Sequence, residues 1–423
     1  MVDLVIRGAR VWSDSGTRVA DVAIEAGEIV DVGAAVGGGS AEIDASGLML
    51  LPGLVDDHVH FREPGREDKE DFATGSQAAA HGGVTTIVEI QNNAPLMTSR
   101  AAVEAKLALV RPKSRVNVGI YGSATVASLG KLGEMADFVL GFKIFLAPSH
   151  GDAGVDSDEM LRALYREAAR AGRPVVVHAE DKATIEKGLA QFSTDGPRGW
   201  SRARSPAAEV LAVERALRLC EETGARTHVF HLSAAGSVDR LADAKAKGLP
   251  VTGATCPHYL LFTDDDVARV GGLLKVNPSI KGAIDRDRLR EGVRDGTLDV
   301  LETDHAPHLP GEKSAAFNDN PSGISSVDVF LPVLLKLVAD GVLGLDQVVE
   351  RACRAPARLF GIANKGSIAR GFDADLVLVD DRTPWTPRSE EFRSKAKLSP
   401  YVGYTLPARV VKTFVGGRVA YAE

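Results

Sequence analysis

The stretch Asp56-Asp57-His58-Val59-His60-Phe61-Arg62 follows Met49-Leu50-Leu51-Pro52-Gly53-Leu54-Val55, an apolar run that reads as the approach to a buried strand. Side chains two apart on a strand point to the same side. His58 and His60 therefore present two imidazoles to one point, the kind of ligand that suits zinc and related divalent ions. Two histidines do not hold a metal, so the remaining ligands must come from elsewhere in the chain.

Working outward, apolar runs recur with helical stretches between most of them. Strands are expected at 53–60, 84–90, 116–121, 138–146, 174–178, 227–232, 250–255 and 298–303. Ser205-Pro206 opens one helix with a cap residue and a first-turn proline, and Val210, Val213, Leu217 and Cys220 then repeat at helical spacing. Met160, Leu161, Leu164 and Ala168 mark another. Eight strands alternating with helices over about 250 residues is what a (β/α)8 TIM-type barrel requires. Periodicity alone leaves a doubly wound open sheet as the alternative.

Barrel enzymes carry their chemistry at the C-terminal strand ends. His178 ends Pro174-Val175-Val176-Val177-His178. His231 ends His228-Val229-Phe230-His231, and Asp304 ends Leu301-Glu302-Thr303-Asp304. Singly, each reads as a satisfied core polar group or a helix cap. With His58 and His60 they make five metal-type residues on four strand ends. Lys143 sits between Phe142 and Phe145 in the fourth strand. Burying its charge is costly, so it reads either as an ion-paired or snorkelling lysine or as a neutral amine. A neutral amine can take up carbon dioxide and become an anionic oxygen ligand.

The first fifty residues and the last fifty-odd both read as β-structure. Val22, Ile24, Ile29 and Val32 alternate around an Ala26-Gly27 turn. The run 374–379 is strand-like, and 410–421 reads as a hairpin about Gly416-Gly417. The expected organisation is a small β-sandwich domain from both termini, 1–52 and 361–423, around a barrel at 53–360. The polar stretch Pro307 through Gly323 directly follows the eighth strand, where a lid would lie.

Composition excludes other classes. The 423 residues are 44% hydrophobic and 25% charged with net charge −7, so no basic face for nucleic acid is expected. No apolar run approaches the roughly 20 residues of a membrane span, and the charged, strand-like start does not read as a signal peptide. Three scattered cysteines, Cys220, Cys256 and Cys353, suggest reduced thiols and a cytoplasmic setting.

The order HxH, Lys, His, His, Asp on strands 1, 4, 5, 6 and 8 resembles the binuclear metal pattern of the amidohydrolase superfamily, over essentially the whole chain. The resemblance implies that His58, His60 and Asp304 hold one zinc and that His178 and His231 hold a second. Carboxylated Lys143 would bridge the two. Within the superfamily, three segments resemble the cyclic-amide hydrolases and most of all the dihydroorotases of pyrimidine biosynthesis. They are His58-Val59-His60-Phe61-Arg62-Glu63-Pro64-Gly65, Lys275-Val276-Asn277-Pro278 and Thr303-Asp304-His305-Ala306-Pro307-His308. That resemblance places Arg62, Asn92 and His308 on a substrate carboxylate and Asn277 on the pyrimidine ring. Asp304 becomes the acid–base residue. It also implies a homodimer or homotetramer and a transcarbamoylase as candidate partner. A planar guanidinium suits a carboxylate in two-pronged fashion; the bland reading of Arg62 is an ion pair with Glu63 or Glu67.

The chain departs from the pattern in places. Ile90-Gln91-Asn92-Asn93 stands where Met-Pro-Asn-Thr is common, so Asn93 competes with Asn92 for the carboxylate. Asn277-Pro278-Ser279-Ile280-Lys281 replaces Asn-Pro-Pro-Leu-Arg. Lysine at 143 is shared with hydantoinases and allantoinases, and Ser399-Pro400-Tyr401-Val402-Gly403 does not discriminate between dihydroorotases and allantoinases. An allantoinase or hydantoinase/dihydropyrimidinase is therefore the alternative enzyme. A non-catalytic relative serving a transcarbamoylase is the alternative from another class.

Overall fold

The computed structural model describes residues 2–147 and 154–423. Five strands precede the barrel: β1 Val2–Val11, β2 Arg18–Glu25, β3 Glu28–Gly33, β4 Gly39–Asp44 and β5 Met49–Pro52. The barrel strands are β6 Leu54–Val59, β7 Val84–Glu89, β8 Asn117–Ile120 with its continuation β9 Gly122–Ser123, β10 Phe142–Phe145, β11 Val175–His178, β12 Thr227–Val229, β13 Val251–Thr255 and β14 Val300–Leu301. Three more follow, β15 Leu376–Asp380, β16 Arg409–Val415 and β17 Arg418–Ala422.

The barrel strands pair in parallel in two runs, β6-β7-β8 and β9 through β14. Two seams join the runs into a closed barrel. Leu140 N–H donates to Ile120 O at 3.0 Å on one side, and Val59 bridges to His305 on the other. This is the expected α/β barrel. All eight expected runs contain a strand, and the helices at Asp158–Arg170 and Pro206–Thr223 form where the apolar spacing put them. The former is capped by Ser157, whose side chain accepts from Met160 N. The latter ends at Gly224, whose φ of 68° is the left-handed conformation glycine tolerates.

Most strand boundaries shift by no more than two residues; the sixth strand stops at Val229 where it was expected to reach Leu232, and the fourth starts late. The fourth strand was expected from Phe138, but β10 begins at Phe142. Phe138 N–H closes a turn onto Met135 O at 2.9 Å, so its apolar side chain belongs to the preceding helical turn.

The terminal strands form one branched sheet, β17-β16-β15-β5-β1-β2-β3, with β4 leaving from β1. Both chain ends contribute: β5 pairs antiparallel with β15, Leu51 opposite Val377. Leu4, Ile6, Ile24, Leu50, Leu376 and Phe414 form its buried core. The hairpin about Gly416-Gly417 is present as expected. β5 runs within one residue of β6, so the sheet anchors the strand that carries His58 and His60.

Candidate metal centre and substrate pocket

Four strand ends bring His58, His60, His178, His231 and Asp304 to one small cavity, which Asn277, Ser322 and Gly323 also line. Ligand atoms of His58, His60 and Asp304 lie within 4.8 Å of one another, and all three residues are buried. Asp304 Oδ1 is 3.3 Å from His58 Nε2 and 3.4 Å from His60 Nε2. Across the cavity His178 Nδ1 and His231 Nε2 face each other at 3.0 Å.

The outward ring nitrogens explain why these inner ones are free to accept a cation. His58 Nδ1–H donates to Glu302 Oε1 at 3.3 Å, and His60 Nδ1–H donates to the Ile90 carbonyl at 2.9 Å. His178 Nε2–H donates to Glu180 Oε2 at 3.1 Å. Each partner fixes a tautomer whose lone pair points at the cavity, the usual way a histidine is prepared for a metal. Glu180 is held in turn by Arg204. The donor set is four neutral imidazoles and one carboxylate, which fits borderline divalent ions such as zinc.

Electrostatics agree. Burial pushes His58, His60 and His231 well below the usual imidazole range, and the Lys143 ammonium pushes them further down. Burial pushes the Asp304 carboxyl up to about 7, against the pull of Lys143, His178 and Arg62. Lys143 is buried, its Nζ 4.3 Å from the Phe230 ring centroid and 4.7 Å from that of Phe145. Its charge reaches His58, His60, His178, His231 and Asp304, so it lies among all five.

Two of the clustered residues have strained backbones. His231 has φ 40° and Asp304 φ 46°, and Arg62 joins them at φ 63°. Left-handed conformations at non-glycine residues concentrate at functional sites because the surrounding fold must enforce them. At His231 the enforcing bond is visible: its backbone N–H donates to Glu302 Oε1 at 2.7 Å.

Arg62 is 4% exposed and meets Asn92, whose Oδ1 accepts from Nη1 at 2.6 Å. Its Nε and Nη2 have no hydrogen-bond partner among the described residues. These two nitrogens form the flat, two-pronged edge of the guanidinium. The ion pair with Glu63 or Glu67 does not form: Glu63 bonds Lys113 and the Phe72 amide, and Glu67 bonds the Gly65 amide. Burial lowers Arg62 to about 10, with Asp304 the first charge holding it up. The Asn93 amide is turned to the backbone, donating to the carbonyls of Arg62 and Pro64 at 3.3 and 2.9 Å. Gln91 braces the same turn, donating to Pro64 O at 2.8 Å.

Asn277 lines the cavity, and its Oδ1 is buried without a hydrogen-bond partner among the described residues. His308 bonds on both sides of its ring. Lys69 Nζ donates to its Nδ1 at 2.9 Å, and its Nε2–H donates to Ser322 O at 3.0 Å. It belongs to the covering loop, where Lys313 bonds Pro321 O and Gly323 O and Lys275 bonds Phe317 O. Inside that loop Pro310–Lys313 forms a short helix the sequence reading did not anticipate.

The sequence reading also missed Glu180, Glu302 and Lys69. Glu180 and Glu302 each lie two residues from a metal-type residue at a strand end. That alternation was the available signal, but their partners lie across strands and no local pattern names them.

The Amidohydrolase family profile matches residues 49–420. The chain is 36% identical to a dihydroorotase of Citrifermentans bemidjiense, over 99% of this chain and 100% of that one. It is 38% identical to an allantoinase of Rubrobacter xylanophilus, over 99% and 94%. Among solved structures, the L-hydantoinase (dihydropyrimidinase) of Arthrobacter aurescens superimposes with a TM-score of 0.95 at 30% identity, over 100% of this chain and 96% of that one. With its barrel, its clustered histidines and this match over most of its length, the chain belongs to the amidohydrolase family.

Proposed function

We propose that this hydrolase acts on the ring amide of dihydroorotate, interconverting it with N-carbamoyl-L-aspartate. The observation that carries the reading is Arg62: a buried guanidinium whose two-pronged edge has no partner among the described residues, beside the metal-type cluster. An unpaired buried cation is costly, and a substrate carboxylate is the group that would satisfy it. Allantoin and hydantoin lack a ring carboxylate. Full-length relatives named dihydroorotase support the same choice.

His58, His60 and Asp304 would hold one ion. His178 and His231 would hold another, with Lys143, as a carboxylated amine, between them. Such ions supply an activated water near neutral pH and polarise the amide carbonyl. The chain's own groups do the rest. Asp304 accepts the proton of the attacking water and returns it to the leaving ring nitrogen. Arg62, steadied by Asn92, anchors the carboxylate and so fixes which carbonyl faces Asp304. Asn277 Oδ1 accepts from a ring N–H. His308 reaches the carboxylate by exchanging its bond to Ser322 O for one to substrate.

The test is a side-by-side assay of the metal-loaded protein on dihydroorotate, allantoin and hydantoin. Dihydroorotate is expected to be turned over best. Dihydroorotate turnover no better than background, with either other compound hydrolysed, would replace this reading with the allantoinase or hydantoinase one.

A further inference from the structure

One layer deeper in the barrel lies a second cluster, Asp57, His228 and Glu302, each 0% exposed. We infer that Asp57, His228 and Glu302 form an additional buried site for one divalent transition-metal ion, separate from the centre at His58, His60 and Asp304. Ligand atoms of the three residues lie within 4.8 Å of one another, and His228 Nε2 is 3.5 Å from Asp57 Oδ2. The residues come from three strands or strand ends, β6, β12 and β14, so the barrel itself fixes their separation.

The free atoms point to a ligand. His228 spends Nδ1 on Thr252 Oγ1 at 2.8 Å, which orients the ring and leaves Nε2 without a hydrogen-bond partner among the described residues. Glu302 spends Oε1 on His58 and on the His231 amide, which leaves Oε2 in the same condition. Both carboxylate oxygens of Asp57 lack a donor among the described residues, and the Asp57 and Glu302 carboxyls face each other at side-chain hydrogen-bond range. Four such atoms in one water-excluded place are costly. Two carboxylates and one oriented imidazole make a mixed oxygen and nitrogen donor set of charge −2, which a divalent ion such as zinc or manganese neutralises. The competing arrangement is a proton shared between the two carboxyls.

Zinc is the probe that separates them. Crystals of the full chain grown with excess zinc, measured across the zinc absorption edge, are expected to show an anomalous peak among Asp57, His228 and Glu302, distinct from any peak at His58, His60 and Asp304. Asp57→Asn, and independently His228→Gln should the first variant fold poorly, should each bind one zinc equivalent fewer than the unaltered protein. A peak at the upper centre alone, or unchanged zinc content in the variants, overturns the inference in favour of the shared proton. A peak at the lower cluster alone supports it and counts instead against the proposed catalytic centre. No peak at either overturns both.

Discussion

At Asp304 one carboxyl is asked to face two histidines and to carry a proton. Replacing it with asparagine keeps the shape and an oxygen donor but removes the exchangeable proton. Asp304→Asn should lower turnover by about 10²–10⁴-fold. A loss under about tenfold, with metal content unchanged, would contradict the shuttle role. Glu180 makes a different prediction. Its burial alone would raise it, but the Arg204 charge and the His178 hydrogen bond outweigh burial and hold it at about 2, from an ordinary 4.5. A carboxyl depressed in the folded state stabilises above its unfolded value and loses that contribution as pH falls toward the folded one. The shift corresponds to about 3 kcal/mol. The stability gap between the protein and Glu180→Gln, read by denaturant unfolding, should therefore be full at pH 6 and shrink steadily between about 4.5 and about 2. A gap that does not change over that range would contradict the ion pair. His178 itself is lowered rather than raised, so its bond to Glu180 orients a neutral ring and Arg204 carries the charge pairing.

At the scale of elements, the strand ends were legible because each apolar run stops at a polar residue. Val175–His178 shows the pattern plainly, whereas Thr227–Val229 stops two residues short of His231. What Phe138 does was not legible, since an aromatic residue before a strand reads the same whether it starts the strand or caps a turn. The segment after β14 was expected to be a lid, and its contacts suit that role. It is fastened by side chains, Lys275, Lys313 and His308 bonding its carbonyls, and Ser322 and Gly323 close the cavity. The cavity has room for about one water (about 20 Å³). Limited proteolysis between Pro307 and Gly323 should slow when a carboxylate-bearing substrate analogue is bound. Identical cleavage with and without it would count against the lid.

At the scale of the whole molecule, the two β-rich ends could be read as pieces, but not their register. Leu51 and Val377 are far apart in sequence, and nothing local pairs them. The same limit applies inside the site. The five metal-type residues were found because they fall at the ends of four apolar strand runs. Glu302 escaped because its meaning lies in His58 and His231, on other strands. No helix among the described residues is long and apolar enough to cross a membrane.

The central claim is that Arg62 reads a substrate carboxylate beside the hydrolytic centre. Dihydrouracil is dihydroorotate without that carboxylate, so the ratio of kcat/KM for the two compounds isolates the contact. Losing a buried charge partner costs about 2–5 kcal/mol, so the protein should prefer dihydroorotate by roughly thirtyfold or more, and Arg62→Met should bring the ratio near one by lowering the dihydroorotate value alone. Equal kcat/KM for the two compounds in the unaltered protein, or a ratio untouched by Arg62→Met, would contradict the account.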